Sequence, residues 1–168
     1  MYDLLPERPI DAAEIEQLLD LTFGPARHRK TAQHLRHGRA PLPGLSFVLR
    51  DGDLLAASIR HWPLSLANDQ PALLLGPLAV RPDHRGRGCG GALIRHGLAA
   101  AGAAGHGAVL LIGDAGYYGR FGFSADLTAG LSLPGPVAAS RFLGLELTPG
   151  ILAGASGPVG PARCLRAA

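Results

Sequence analysis

The chain has one lysine, one tryptophan and two cysteines in 168 residues, and aromatic residues make up only 5%. Each shortage removes a class of protein. Two scattered thiols, Cys89 in a glycine-rich loop and Cys164 near the end, build neither a disulfide framework nor a metal site. No uncharged apolar run approaches the roughly 20 residues of a membrane span, so no membrane role is expected. Positive charge comes from fifteen arginines and Lys30, dispersed, without a basic helix or an aromatic stripe between them. That pattern argues against nucleic acid as the main partner and leaves a modest pull on anionic ligands, with net charge +3. Apolar residues at 47% and charged residues at 17% exclude a disordered chain. The first residues carry Asp3, Glu7 and Asp11 and no apolar leader core, so a cytoplasmic protein is expected. Residues 1–168 are expected to form a single domain, as a monomer or homodimer.

What is abundant is glycine, 24 residues, and proline, 14. They punctuate a readable alternation of elements. Ile15, Leu18 and Leu19 form one apolar stripe of a helix that Asp11 is placed to cap. A second, more polar helix is expected over Arg27 to His37, ended by Gly38, with His34 and His37 as substrate-side groups. Leu45 to Leu49 and Leu54 to Ile59 flank Asp51-Gly52-Asp53, a hairpin signal. His61 ends that hairpin beside Trp62-Pro63, and as a loop histidine it is expected to be exposed. Leu73 to Val80 reads as a strand that Gly76-Pro77 interrupts, because proline donates no ladder hydrogen bond. A split in the sheet is expected there. Leu93, Ile94, Leu98 and Ala101 mark a helix, Val109 to Ile112 a buried strand, and the three together a right-handed parallel crossover. Beyond Gly113 only Leu143 to Leu147 alternates convincingly as a strand.

Between that first strand and its helix lies Arg81-Pro82-Asp83-His84-Arg85-Gly86-Arg87-Gly88-Cys89-Gly90-Gly91. Four glycines let several backbone amides converge at a helix start without side chains in the way, which is how a loop holds phosphates. Arg85 and Arg87 add fixed positive charge. A nucleoside-triphosphate loop requires Lys-Ser or Lys-Thr after its last glycine, and the chain continues Ala92-Leu93. Gly86, Gly88 and Gly91 match a dinucleotide fingerprint, with Asp114 as a ribose-binding acid. That fingerprint needs its first glycine at the strand end, however, and Arg81 to Arg85 intervene.

Val80-x-Pro82-x-x-Arg85-Gly86-x-Gly88-x-Gly90 resembles the acetyl-coenzyme A motif of the GNAT N-acetyltransferase superfamily. Tyr118-Gly119-Arg120-Phe121-Gly122-Phe123 is similar to its Tyr-x-x-x-Gly-Phe element, and the element order matches over about residues 1 to 125. The tail looks most like a bacterial stand-alone subgroup of unassigned substrate. The resemblance implies an α/β fold with a mixed, centrally split sheet flanked by helices. It also implies acetyl-coenzyme A as cosubstrate and an acetyl group passed directly to an amine, of a small molecule or a larger acceptor. Cofactor-binding residues are then Leu78, Ala79, Val80, Arg85, Gly86, Arg87, Gly88, Cys89, Gly90 and Gly91. Leu78 would offer its amide to the oxyanion, and Tyr118, with Tyr117 as its neighbour and rival, would protonate the leaving thiolate. The strand carries no carboxylate base, which leaves Asp114, His61 or a water chain. Asp114 equally suits a cap of the following turn. Cys89 reads as a small filler between glycines. A non-catalytic acyl-coenzyme A sensor or interaction module is the alternative function.

Overall fold

A computed structural model describes residues 1–162; Cys164 lies outside the described residues. In chain order the elements are β1 (Tyr2–Pro6), α1 (Ala12–Phe23), α2 (Thr31–Arg36), β2 (Phe47–Asp51), β3 (Leu54–Ser65) and β4 (Pro71–Val80). They continue with α3 (Cys89–Ala103), β5 (Ala108–Ile112), α4 (Ala115–Tyr118), β6 (Leu131–Ser132), β7 (Phe142–Glu146), β8 (Gly157–Pro158) and β9 (Gly160–Pro161). The fold is α/β, a mixed sheet with flanking helices. The chain divides into two compact units, and β3 and β4 each contribute to both.

The first unit comprises Met1–Lys30, Pro41–His61 and Leu75–Gly105. The Asp-Gly signal holds: β2 and β3 pair antiparallel from Phe47 opposite Ile59 to Asp51 opposite Leu54, around Gly52 at φ +60°. The predicted apolar stripe of α1 buries Ile15, Leu18 and Leu19 against Val48, Leu55 and Ala79. Helix α3 buries Leu93, Ile94, Gly97 and Ala101 along one side. Gly97 is small for a reason, since a Cβ there would stand 2.6 Å from the His61 ring. His61 is therefore not the exposed loop residue expected from its neighbours. It is fully buried, with Nδ1 2.6 Å from the Leu45 carbonyl, because β3 runs on four residues past it.

Strand β1, absent from the sequence reading, pairs antiparallel with β2 from Tyr2 opposite Asp51 to Pro6 opposite Phe47. The expected cap of α1 is also corrected. Asp11 is 1% exposed and its carboxylate accepts from the Arg8 amide at 2.8 Å and from the Arg8 and Arg50 guanidiniums at 3.1 and 2.9 Å, leaving the helix amides without it. Charged pairs lock the same region elsewhere. Arg60 grips Glu7 through Nε at 3.0 Å and Nη2 at 2.8 Å and reaches Glu16 at 2.9 Å, and Arg27 joins Glu16 to Asp20.

The second unit comprises Thr31–Ala40, Trp62–Leu74 and the chain from His106 onward. Strand β5 is its axis, an apolar run buried from Ala108 to Leu111. It pairs antiparallel with β7 from Ala108 opposite Glu146 to Ile112 opposite Phe142, and in parallel with β4 at Leu73–Val109 and Leu74–Leu110. That parallel ladder ends there, two residues before the Gly76–Pro77 disruption that was expected to end it. The core gathers Leu35, Trp62, Leu64, Leu74, Leu110, Phe142 and Leu152. Short pairings the sequence did not announce join β9 to β3 and β6 to β8. The second helix is shorter than read. Lys30 is extended at ψ 147°, so Pro25–Arg29 forms a separate 3-10 turn and α2 starts at Thr31.

Asp11 sets a test of this account. Its carboxyl is held at about 2 by the Arg8 hydrogen bonds, against the opposing effect of its burial. The stabilisation is full above the ordinary carboxylate range and is lost as pH falls through that lowered value. Asp11→Asn should cost about 2 kcal/mol at pH 7 by removing the charge that Arg8 and Arg50 share, although Arg50 keeps Glu14 at 2.7 Å. In urea unfolding the gap from the wild type should narrow between about pH 4 and pH 2. An unchanged urea midpoint at pH 7 would refute the role given to this carboxylate.

Candidate functional site

The glycine loop owes its shape to two backbone angles. After β4 the chain makes a 3-10 turn at Pro82–His84, passes through extended Arg85, and then places Gly86 at φ +75° and Gly88 at φ +80°. A Cβ at either glycine would meet nothing within 4 Å, so these positions need glycine for the left-handed conformation and not for space. Helix α3 follows for 15 residues. Its first bond runs from the Ala92 amide to the Gly88 carbonyl at 3.0 Å, so the amides of Cys89, Gly90 and Gly91 precede any helical carbonyl they could reach. No acidic residue stands in the first turn to offset the positive helix end. Arg85, Gly86, Arg87 and Gly88 are exposed, whereas Cys89 is buried at 3% and offers its backbone. The filler reading of Cys89 fits that burial.

The last residues of β4 lie in the same unit as this loop. Ala79 is fully buried in the α1 cluster, and Leu78 and Val80, pointing the other way, are half-buried. All three lie beyond the two-pair ladder with β5. Gly76 adopts φ +119°, again a glycine conformation. The ten cofactor-binding residues read from the sequence thus fall on one continuous strand, loop and helix start.

Asp114, Tyr117 and Tyr118 belong to the second unit. Asp114 is exposed and its Oδ2 accepts from the Tyr117 amide at 2.8 Å, the capping role considered for it. The turn it starts is one α4 turn, and Tyr118 follows from it. The Tyr118 ring lies over Gly113, where a Cβ would sit 2.5 Å from Cε2, and stands edge-on to Tyr117 at 5.0 Å and Phe123 at 6.0 Å. The Phe121 ring lies tilted against Tyr117, 5.7 Å away. Burial, and secondarily Tyr117, pushes the Tyr118 hydroxyl up to about 12. It stays protonated through neutral and mildly alkaline pH, as an acid must. Tyr117 is half-buried and engaged by Arg120, whose guanidinium lies 4.6 Å over its ring.

Sequence reasoning passed over His84. It is 5% exposed and places Nδ1 2.9 Å from Asp83 and Nε2 3.2 Å from Asp51. The signal was available: a histidine immediately before the loop, with an aspartate beside it.

Residues 43–125 match the family model for an acetyltransferase (GNAT) domain. The chain is 30% identical over 154 residues to the uncharacterized N-acetyltransferase YhbS of Escherichia coli (strain K12), covering 91% of this chain and 92% of that protein. It is 31% identical over 116 residues to the uncharacterized N-acetyltransferase YjhQ of the same organism, of which it spans 64%. Among solved structures, Escherichia coli YhbS in complex with CoA superposes with a TM-score of 0.82 at 28% identity, over 95% of this chain and 89% of that one. A GNAT family acetyltransferase from Brucella melitensis in complex with acetyl-CoA gives a TM-score of 0.69 at 32% identity, over 89% and 90%.

Gly113→Ala should destabilise the protein by about 1 to 3 kcal/mol through overpacking against Tyr118. In a Tyr118→Ala background the same substitution should cost less than about 0.5 kcal/mol, because the clash has gone. Equal costs in both backgrounds, measured by urea unfolding, would show that the glycine serves something other than the tyrosine ring.

Proposed function

The chain belongs to the GNAT acetyltransferase family and is an acetyl-coenzyme A dependent N-acetyltransferase; we propose that it moves the acetyl group directly to an amine of a small molecule or of a larger acceptor. Residues 1–168 act as one N-acetyltransferase domain in this reading. No helix among the described residues is long and apolar enough to cross a membrane, and the free, buried Cys89 suits work in the cytoplasm.

One observation carries the assignment of roles, the pair of left-handed glycines that opens α3 with its first amides unengaged by the helix. Those amides, with Arg85 and Arg87, hold the pyrophosphate of the coenzyme, each hydrogen bond to the anion contributing about 1.5 to 3 kcal/mol. Leu78, Ala79 and Val80 extend backbone groups beyond the ladder with β5, and the amide-rich pantetheine arm pairs with them as an added strand would. The coenzyme supplies an acyl group on a sulfur leaving group. The Leu78 amide holds the thioester oxygen as negative charge develops on it. Tyr118 gives its proton to the departing sulfur, and its raised hydroxyl keeps that proton available. Asp114 holds the turn that presents Tyr118, with the Tyr117 amide as its partner.

Acetyl-coenzyme A at a hundredfold excess over its dissociation constant should stabilise the protein by about 2.7 kcal/mol, read as a rise in Tm. Tyr118→Phe should keep that rise and lose about a hundredfold or more in turnover with a responsive amine. A wild-type protein that binds the coenzyme and releases no thiol with any member of an amine panel would favour the acyl-coenzyme A sensor instead. Asp114 has its own pair of variants. Asp114→Asn, which still caps, should leave turnover within about twofold, whereas Asp114→Ala should cost about 1 kcal/mol of stability. If Asp114→Asn abolished turnover without loss of stability, the carboxylate would be the general base.

A further inference from the structure

We propose that His84 is a positioning residue for the coenzyme: its imidazolium bridges Asp83 and Asp51 and so pins the Arg85–Gly88 loop to the turn between β2 and β3. Affinity for the coenzyme then depends on the charge of this one ring. The inference rests on the reading above that the loop binds coenzyme A.

The geometry makes the case. Both ring nitrogens face carboxylate oxygens, Nδ1 toward Asp83 at 2.9 Å and Nε2 toward Asp51 at 3.2 Å. A neutral imidazole carries one N–H and would turn a lone pair against one of these carboxylates, whereas the imidazolium donates to both. The ring is buried at 5% exposure and Tyr2 of β1 stands edge-on to it at 6.0 Å, so it has little freedom to turn away. Asp51 ends β2, and Asp83 and His84 belong to the turn immediately before Arg85. The bridge therefore spans from the hairpin to the root of the loop.

The charged and titratable groups that face the ring decide its state. Asp83 and then Asp51 raise the imidazole above its ordinary value, against the lowering influence of burial and, after it, of Arg87. Arg81 also reaches Asp83, at 3.3 Å, and Arg87 itself is held by the Tyr2 side chain. A group raised by its partners stabilises what it holds below its ordinary titration range and gives this up as pH rises through the raised value. A pyrophosphate bound on the following residues adds negative charge and shifts the ring further toward the imidazolium, so coenzyme binding takes up a proton.

The test measures the dissociation constant of coenzyme A by calorimetry from pH 6 to pH 8.5 for the wild type, His84→Gln and Asp51→Asn, with the His84 ring followed by NMR. The coenzyme's own titration is common to all three and cancels in their ratio. His84→Gln should bind about fivefold or more weakly than wild type at pH 6, and the ratio should approach one at pH 8.5. Asp51→Asn should move both the ring titration and the affinity change to lower pH. A ratio that stays constant with pH, or a ring that is neutral at pH 6 in the wild type, overturns the inference while the coenzyme site stands. Failure of wild-type protein to bind coenzyme A at any pH overturns both.

Discussion

A backbone amide or carbonyl taken out of water must find a partner, and two places among the described residues present backbone groups beyond the ladder or helix that would otherwise engage them. One is β4, whose parallel ladder with β5 ends after Leu73 and Leu74 while the strand runs on to Val80. The other is the first turn of α3, where Cys89, Gly90 and Gly91 precede the first helical bond. Both lie on one stretch of chain only a few residues apart. A coenzyme built from a pyrophosphate and an amide-bearing arm offers the complementary groups in that order. The proposed coenzyme site is therefore made mainly of backbone groups, with Arg85 and Arg87 adding side-chain charge at the pyrophosphate end.

Keeping such groups presented requires rigid support, and the first unit supplies it with charge as much as with apolar packing. The Arg60–Glu7–Glu16–Arg27 chain and the Asp11–Arg50–Glu14 chain join β1, α1 and the β2–β3 hairpin through arginines that are largely out of water. Arginine suits this, since its planar fork satisfies two carboxylates at once and stays charged when buried. The skew to arginine over lysine, which in the sequence reads as composition alone, is used structurally at Arg27, Arg50 and Arg60. Isolated surface pairs would add little, but networks with buried members fix geometry.

How much of this could be read from the chain depends on whether the cause is local. The hairpin at Asp51-Gly52, the stripe of α1 and the apolar run of β5 follow from periodicity and turn chemistry within a few residues, and all three are where they were expected, whereas α3 starts at Cys89, inside the glycine run expected to precede it. Strand β1 was missed because it is short, Leu4 and Leu5 fall on opposite faces and blur the alternation, and it ends in Pro6. Its partner is β2, forty residues away. Asp11 looked like a helix cap because its nearest chain neighbours form a helix, yet Arg50, a distant partner, is one of those that claim it. His61 and His84 were misjudged or overlooked for the same reason, since burial is a property of the fold and not of the neighbouring residues. The glycines of the loop were legible because a left-handed angle is demanded by the backbone itself. Which of the two tyrosines packs away from water was not, because Gly113 and Phe123 make that choice through packing.

The choice has a chemical consequence. A hydroxyl held at about 12 is a weak acid toward a free thiolate, whose conjugate thiol titrates near 8.5, so in water the proton would favour oxygen. Burial changes the comparison because it penalises the charged form of either partner. The same desolvation that raises Tyr118 also raises the basicity of a thiolate generated in a dry environment, so the raised hydroxyl does not by itself forbid the transfer. Proton transfer is then driven by the need to avoid an unsolvated sulfur anion, and its timing is set by when that charge appears. An unperturbed tyrosine hydroxyl begins to lose its proton at about pH 10, whereas Tyr118 keeps its own beyond that, as the acid role proposed for it requires.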